Sequence, residues 1–209
     1  MDVTTSKTTR IKILEAAKLV FIEKGKDGAR MQEIADRAGV NKAMLFYYFN
    51  NKELLYLEVL NSIFRQLFQK INGIVISEID PRRKIEQIVV EYTNFLSKNE
   101  GFPRIMLREI ADGGEVVTNI LKDFFSEQNT STSANILSMI QDSVDKGQFR
   151  RVDPVQTFIS ILGICVIFFI ARPIFKNINE FDLINYKDFL QQRQQSIIDL
   201  LENGLIEKK

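Results

Sequence analysis

The sequence predicts an all-α protein of about nine helices arranged in two domains. Only 4 Pro and 10 Gly interrupt its 209 residues. Apolar side chains recur at i, i+3, i+4 spacing along most of the chain, the period of a helix with one buried face. No alternating polar–apolar run is long enough to make a strand. Hydrophobic residues at 45% and charged residues at 26% are an ordinary globular balance. This length suits a small amino-terminal module followed by one further helical domain.

The first helix is expected over Arg10–Lys24, with Ile11, Leu14, Ala17, Leu19, Phe21 and Ile22 as its apolar positions and Gly25 as its stop. Met31, Ile34, Ala35 and Ala38 then share one face of a short second helix. Gly39 can take the left-handed conformation that turns the chain without steric penalty. Asn41 is a good N-cap for a third helix, because its side-chain oxygen can accept an orphan backbone N–H. A helix, a tight glycine turn and a short second helix form a helix-turn-helix, which lays its second helix in the DNA major groove. Leu45 and Phe49 complete the core of this module. Asn51 caps a long fourth helix bearing Leu54, Leu55, Leu57, Val59, Leu60, Ile63, Phe64 and Leu67, ending near Gly73. The DNA-binding domain is thus expected at residues 1–50, with a connecting helix at 51–75 and a helical body at 76–209.

In the body, helices are expected at 82–98, at 103–112 before Gly113-Gly114, and as one long element at 115–146. Asp153-Pro154 starts the next helix, Asp as cap and Pro in the first turn. That helix is expected to end near Arg172-Pro173, since proline restricts both itself and the residue before it. A last helix covers about 186–203, stopped by Gly204. The run Phe158–Ala171 is apolar nearly all round, interrupted only by Ser160 and Gly163. It is short for a bilayer span, so no membrane association is expected. It must instead bury a second face, within its own domain or against a partner subunit.

The net charge of +1 decides nothing alone. Residues 1–52 hold ten basic and six acidic side chains, leaving the other 157 residues at −3. A basic front end on a mildly acidic body suits a chain that docks one end on phosphates. There is no histidine and one cysteine, Cys165, which excludes an intrachain disulfide, Cys/His zinc sites and every His-dependent catalytic triad. No metal and no cofactor are expected. Residues 1–9 lack the apolar core of a signal peptide, so a cytoplasmic location is expected.

The amino-terminal sixty residues resemble the TetR family of bacterial transcriptional regulators. The resemblance is carried by Ile13-Leu14-Glu15-Ala16-Ala17, Phe21, Gly25, Ile34-Ala35, Ala38-Gly39-Val40, Tyr47-Tyr48-Phe49 and Lys52-Glu53-Leu54-Leu55. Arg30 stands where the family usually opens its second helix with threonine, Asn41 where it has serine or threonine, Ala43 where glycine is common and Phe46 where tyrosine is common. The resemblance implies a carboxy-terminal ligand-binding and dimerisation domain, a homodimer on a palindromic operator, and most often repression relieved by a small molecule. It also implies a four-helix dimer interface from the last two helices of each subunit.

The expected DNA-contacting residues are Arg30, Asn41, Lys42, Ala43, Phe46, Tyr47, Tyr48 and Lys52. Lys42 and Ala43 lie at the exposed start of the recognition helix. Tyr47 and Tyr48 either complete the core or offer a hydroxyl to a phosphate, and the resemblance favours Tyr47 for the second role. Lys52 follows a cap, where helix-terminal N–H groups and an ammonium together hold a phosphate; the alternative is a plain surface lysine. Tyr92, Phe95, Met106, Glu109, Phe125, Cys165, Phe168 and Phe169 either pack a core or line a pocket for an unidentified, largely apolar effector. Ile159, Leu162, Val166, Phe189, Arg193, Ile197 and Leu200 are expected at the dimer interface. Two other readings stand beside this one: a DNA-binding regulator or activator with no effector, and, more remotely, a carboxylate-dependent enzyme.

Overall fold

A computed structural model describes residues 3–126, 132–175, 177–178 and 186–205, with side chains over 7–122, 135–175, 177–178 and 186–205. The described residues form ten helices: α1 (Val3–Gly28), α2 (Met31–Ala38), α3 (Lys42–Phe49), α4 (Lys52–Val75), α5 (Pro81–Lys98), α6 (Phe102–Ala111), α7 (Glu115–Ser126), α8 (Thr132–Asp145), α9 (Pro154–Phe175) and α10 (Tyr186–Leu205). They divide into two units, residues 1–66 with 104–120 and residues 67–103 with 121–209. The boundary falls inside α4, and most of α6 belongs with the amino-terminal helices.

In the first unit, α1 turns Ile13, Ala17, Val20 and Phe21 fully inward, α2 adds Ile34 and Ala35, and α3 adds Leu45. Burial of such side chains stabilises by about 1.5–3 kcal/mol each. Exposed ion pairs then tie α1 to α2: Arg37 donates two hydrogen bonds to Glu23 at 2.8 and 3.0 Å, and Lys24 one to Glu33 at 2.7 Å. The Arg37 guanidinium holds the Glu23 carboxyl below the usual carboxylate range. Tyr56 of α4 is buried edge-on to Phe21, with centroids 4.9 Å apart, and its hydroxyl donates to Glu109 of α6 at 2.6 Å. Burial, then the Glu109 hydrogen bond, push the phenol well above its ordinary value.

In the second unit, α5 packs on α8, α9 and α10. Asp80 caps α5 by accepting from the Arg82 N–H at 2.9 Å, with Pro81 in the first turn. Ile85, Ile88, Val89, Phe95 and Leu96 of α5 are buried, as are Ile161, Cys165, Phe168 and Phe169 of α9 and Ile197 of α10. Burial pushes the Cys165 thiol up to about 12.

Four boundaries differ from expectation. The first helix begins at Val3 rather than Arg10, and Gly25 (φ 73, ψ 176) breaks it at the expected place before one further turn. A Cβ there would combine left-handed strain with an approach of 3.1 Å to the Arg108 guanidinium. The single helix expected at 115–146 is two, α7 and α8. Residues 127–131, between the two, lie outside the described residues. Helix α9 continues through Pro173 to Phe175, and Asn177 donates to the Pro173 carbonyl at 2.8 Å. Helix α10 runs to Leu205, with Gly204 inside its last turn rather than ending it.

Candidate nucleic-acid interface

The turn between α2 and α3 follows from two residues. Gly39 takes φ 68 and ψ 33, and its N–H donates to the Asp36 carbonyl at 3.2 Å while that of Val40 donates to Ala35 at 3.0 Å. Asn41 caps α3, its Oδ1 accepting from the Met44 N–H at 2.7 Å. Only Leu45 and Phe49, one helical turn apart, are buried on α3. That anchors one face of the helix and leaves Lys42, Ala43, Phe46 and Tyr47 exposed on the rest.

Tyr47 is 77% exposed, with its ring edge-on to Tyr48 at 5.4 Å. A large aromatic held open to water by a rigid helix is a poor core residue and a ready contact for sugar, base or phosphate. Tyr48 is half-buried against Phe49. The Lys42 ammonium lies 5.8 Å above the Phe46 ring, so Phe46, in place of a tyrosine, keeps a cation beside the exposed face. Neither Lys42 nor Arg30 is paired with a carboxylate among the described residues. Arg30 occupies the N-cap position of α2 and gives no capping hydrogen bond, which leaves the first N–H groups of α2 for an external acceptor.

Asn50 joins α3 to α4 at φ 54, ψ −57, and the Asn51 N–H donates to Phe49 at 2.5 Å across it. This is a three-residue turn in a region that residues with a Cβ rarely occupy. Asn51 then caps α4 by accepting from the Leu54 N–H at 2.8 Å. Lys52 reaches back instead of outward: its ammonium donates to the carbonyls of Asp27 at 3.2 Å and Ala29 at 3.5 Å. It holds the start of α4 to the end of α1. Neither the Asn50 conformation nor the Lys52 latch was visible in the sequence, where Asn51 reads only as the cap of the fourth helix.

The expected effector residues fall in both units. Tyr92, Phe95, Cys165, Phe168 and Phe169 lie in the second unit; Met106 and Glu109 lie in the first. Glu109 is committed to the Tyr56 hydroxyl. The Phe125 side chain lies outside the described residues. Phe95 packs edge-on to Phe102 at 5.9 Å, and Tyr92, its phenol pushed up by burial, faces the Cys165 thiol. Two clefts in the second unit, of about 380 and 210 Å³, are lined by other residues, among them Arg150, Asp153 and Leu200 in the larger and Lys84, Asn135 and Asp142 in the smaller.

The expected dimer residues also divide. Ile159 (55%) and Leu200 (57%) are exposed, and Leu162 and Val166 are half-buried. Ile197 is fully buried within the chain and cannot meet a partner; it fills the core between helices rather than facing outward. Phe189 stacks on Phe168 at 4.8 Å, and Arg193 donates to the Ile164 carbonyl at 3.0 Å, so both are used inside the chain. Val155, Ile167 and Ile174 are exposed as well and continue the line from Ile159 through Gly163 at helical spacing.

The profile of bacterial regulatory proteins of the tetR family matches residues 13–59, and that of the tetracyclin repressor-like C-terminal domain matches residues 81–201, more than half of the chain. Among characterised relatives, the HTH-type transcriptional repressor KstR2 of Rhodococcus jostii is 28% identical over 141 residues, 68% of each chain. The HTH-type transcriptional repressor NicS of Pseudomonas putida is 31% identical over 101 residues, 48% of each chain. In fold, the chain matches the fatty acid degradation regulator FadR of Bacillus halodurans with a TM-score of 0.71 at 20% identity, over 92% of this chain and 93% of that one. A helix-turn-helix with an open recognition face, continuous with a helical body of this profile, is that of a DNA-binding transcriptional regulator and not an enzyme: the chain belongs to the TetR family.

Proposed function

We propose that this regulator works as a cytoplasmic homodimer, without membrane association, that recognises a palindromic operator and, as a repressor, leaves it when a small, largely apolar effector binds the body. The observation that carries the DNA-reading part is the open face of α3, where Lys42, Ala43, Phe46 and Tyr47 are exposed above a Leu45–Phe49 anchor. Lys42 and Ala43 meet base edges, Tyr47 and the first turn of α2 with Arg30 meet phosphates, and Asn41 supports the helix start. Lys52 both braces the domain and adds positive charge near the first N–H groups of α4.

The dimer rests on α9. Val155, Ile159, Ile167 and Ile174 are 47–63% exposed along one stripe, with Gly163 at its middle and nothing within 4 Å of the position its Cβ would take. Such a stripe fits a second copy of itself across a two-fold, and a glycine there permits close approach of the two backbones. Effector release follows if the ligand favours one separation of the two recognition helices. DNA and effector then weaken each other equally, by about 1–3 kcal/mol.

The test is selection from a random duplex pool, followed by titration of the enriched duplex with and without candidate effectors. Enrichment of an inverted repeat bound two chains to a duplex supports the reading. Enrichment of an asymmetric site bound by one chain contradicts the dimer. A regulator with no effector would bind the same repeat and show no compound that both raises the melting temperature and weakens operator binding.

A further inference from the structure

Phe168, Arg172 and Phe175 are four and then three residues apart on α9, so they share one face, and they meet Tyr186 and Phe189, three apart on α10. Phe168 stacks on Phe175 at 6.2 Å and on Phe189 at 4.8 Å. A cation is thereby set among aromatic rings: the Arg172 guanidinium carbon lies 3.9 Å from the Tyr186 ring centroid, and its side chain is 16% exposed.

The hydrogen bonds of this cation are unfinished. Arg172 Nη1 donates to Glu100 at 2.5 Å, and Glu100 itself is 58% exposed. Among the described residues, the buried Arg172 Nε has no acceptor and the buried Tyr186 hydroxyl has no hydrogen-bond partner. A buried donor left unpaired is costly and uncommon, and two on neighbouring side chains call for a shared cause. The Nε edge of a guanidinium, with Nη2 beside it, is the edge that takes a carboxylate with two parallel hydrogen bonds. A phenol next to it supplies a third donor to the same anion.

We infer that Arg172 and Tyr186 form the anchor for the carboxylate of an apolar carboxylic acid, whose body lies against Phe168, Phe175 and Phe189, with Glu100 as an internal counter-ion that the ligand replaces. This deepens the effector reading above, and rests on it, by naming the ligand class and the residues that hold it. An exposed glutamate loses little on swinging into water, because an exposed ion pair contributes at most about 1 kcal/mol. The incoming acid gains the edge that Glu100 leaves unused. The Tyr186 ring continues to cover the cation in both states.

The test uses the full chain and two matched pairs of probes: octanoate against octanamide, and phenylacetate against phenylacetamide. Melting temperature and calorimetric Kd are measured for wild type, Glu100→Gln, Arg172→Met, Arg172→Lys and Tyr186→Phe. At least one acid is expected to raise the melting temperature where its amide does not. Glu100→Gln should tighten acid binding about two- to five-fold, since an exposed competitor is removed. Arg172→Met should weaken it at least about thirty-fold, and Arg172→Lys should lose most of the affinity while keeping the charge. Acid binding unchanged in Arg172→Met and Arg172→Lys, equal binding of acid and amide, or weaker binding in Glu100→Gln would each overturn the assignment, as would no stabilisation of wild type by either acid. The same samples are titrated with operator DNA. Acids that bind at Arg172 without weakening operator binding support the site and contradict only the effector reading. An uncharged compound that releases operator while no acid binds overturns the site and leaves the effector reading standing.

Discussion

Ile167→Glu tests the α9 stripe where its consequence is largest. Ile167 is 54% exposed in the chain, so the change removes little from the folded subunit. Full burial of an isoleucine contributes about 1.5–3 kcal/mol, so covering the exposed half of Ile167 contributes about 1 kcal/mol per subunit. A glutamate in the same place must either enter apolar surroundings unpaired or take up a proton there, at a cost of at least about 2 kcal/mol more. The two-fold places the change in both subunits, for about 6 kcal/mol in all. That weakens the dimer by about four powers of ten. Sedimentation velocity at micromolar chain should show dimeric wild type and monomeric Ile167→Glu, with Gln87→Glu on the exposed side of α5 as a control that stays dimeric. The helical circular dichroism signal should survive. A variant that sediments as the wild-type dimer would refute the assignment of α9 to the interface.

Four further outcomes follow from particular contacts. Tyr47→Phe keeps the exposed ring and removes one hydroxyl; operator affinity should fall by about 1 kcal/mol with the melting temperature unchanged, and equal affinity would move the phosphate contact to Tyr48. Lys52→Ala removes the latch onto the Asp27 and Ala29 carbonyls, so stability should fall by about 1 kcal/mol, while the slope of log Kd against log salt drops by about one per subunit; a lowered melting temperature with an unchanged slope would make Lys52 purely a brace. Asn50→Gly relieves the backbone at φ 54 and should stabilise by about 0.5–1 kcal/mol, whereas Asn50→Ala should destabilise, as judged by urea unfolding. The Cys165 thiol, pushed up to about 12 by burial, should resist a thiol reagent in the native protein at pH 8 and react in denaturant. Because its folded value is raised, its contribution to stability is complete below the unfolded value and is lost as pH rises from there toward 12; rapid native labelling at pH 8 would contradict that burial.

Local chemistry was legible where one residue decides the conformation. Gly39 and Asn41 place the turn and the start of α3 through their own backbone freedom and side-chain oxygen, and Leu45 and Phe49 choose the buried face by spacing alone. Asp153-Pro154 marks a helix start for the same reason. Tertiary partners were not legible at all. Ile197 and Leu200 lie three residues apart on α10 and are equally apolar, yet one is buried and the other open, and the packing of α5 on α10 cannot be read from either residue. Glu109 reads as a charged anchor near apolar residues, and only the fold brings the Tyr56 hydroxyl to it across more than fifty residues of sequence. Arg172 reads as the end of a helix, while its rings and its unpaired Nε come from α10 and from the approach of Glu100.

Protein–DNA recognition through α3 is tested most directly by selecting full-length protein against a random duplex pool beside the double variant Lys42→Ala, Tyr47→Ala. The expected result is an inverted repeat whose half-sites lie about one helical turn, or a multiple of it, apart, bound by two chains, and no enrichment by the variant at equal helicity. Enrichment of the same repeat by the variant, or a wild type that enriches nothing at low salt, would contradict it.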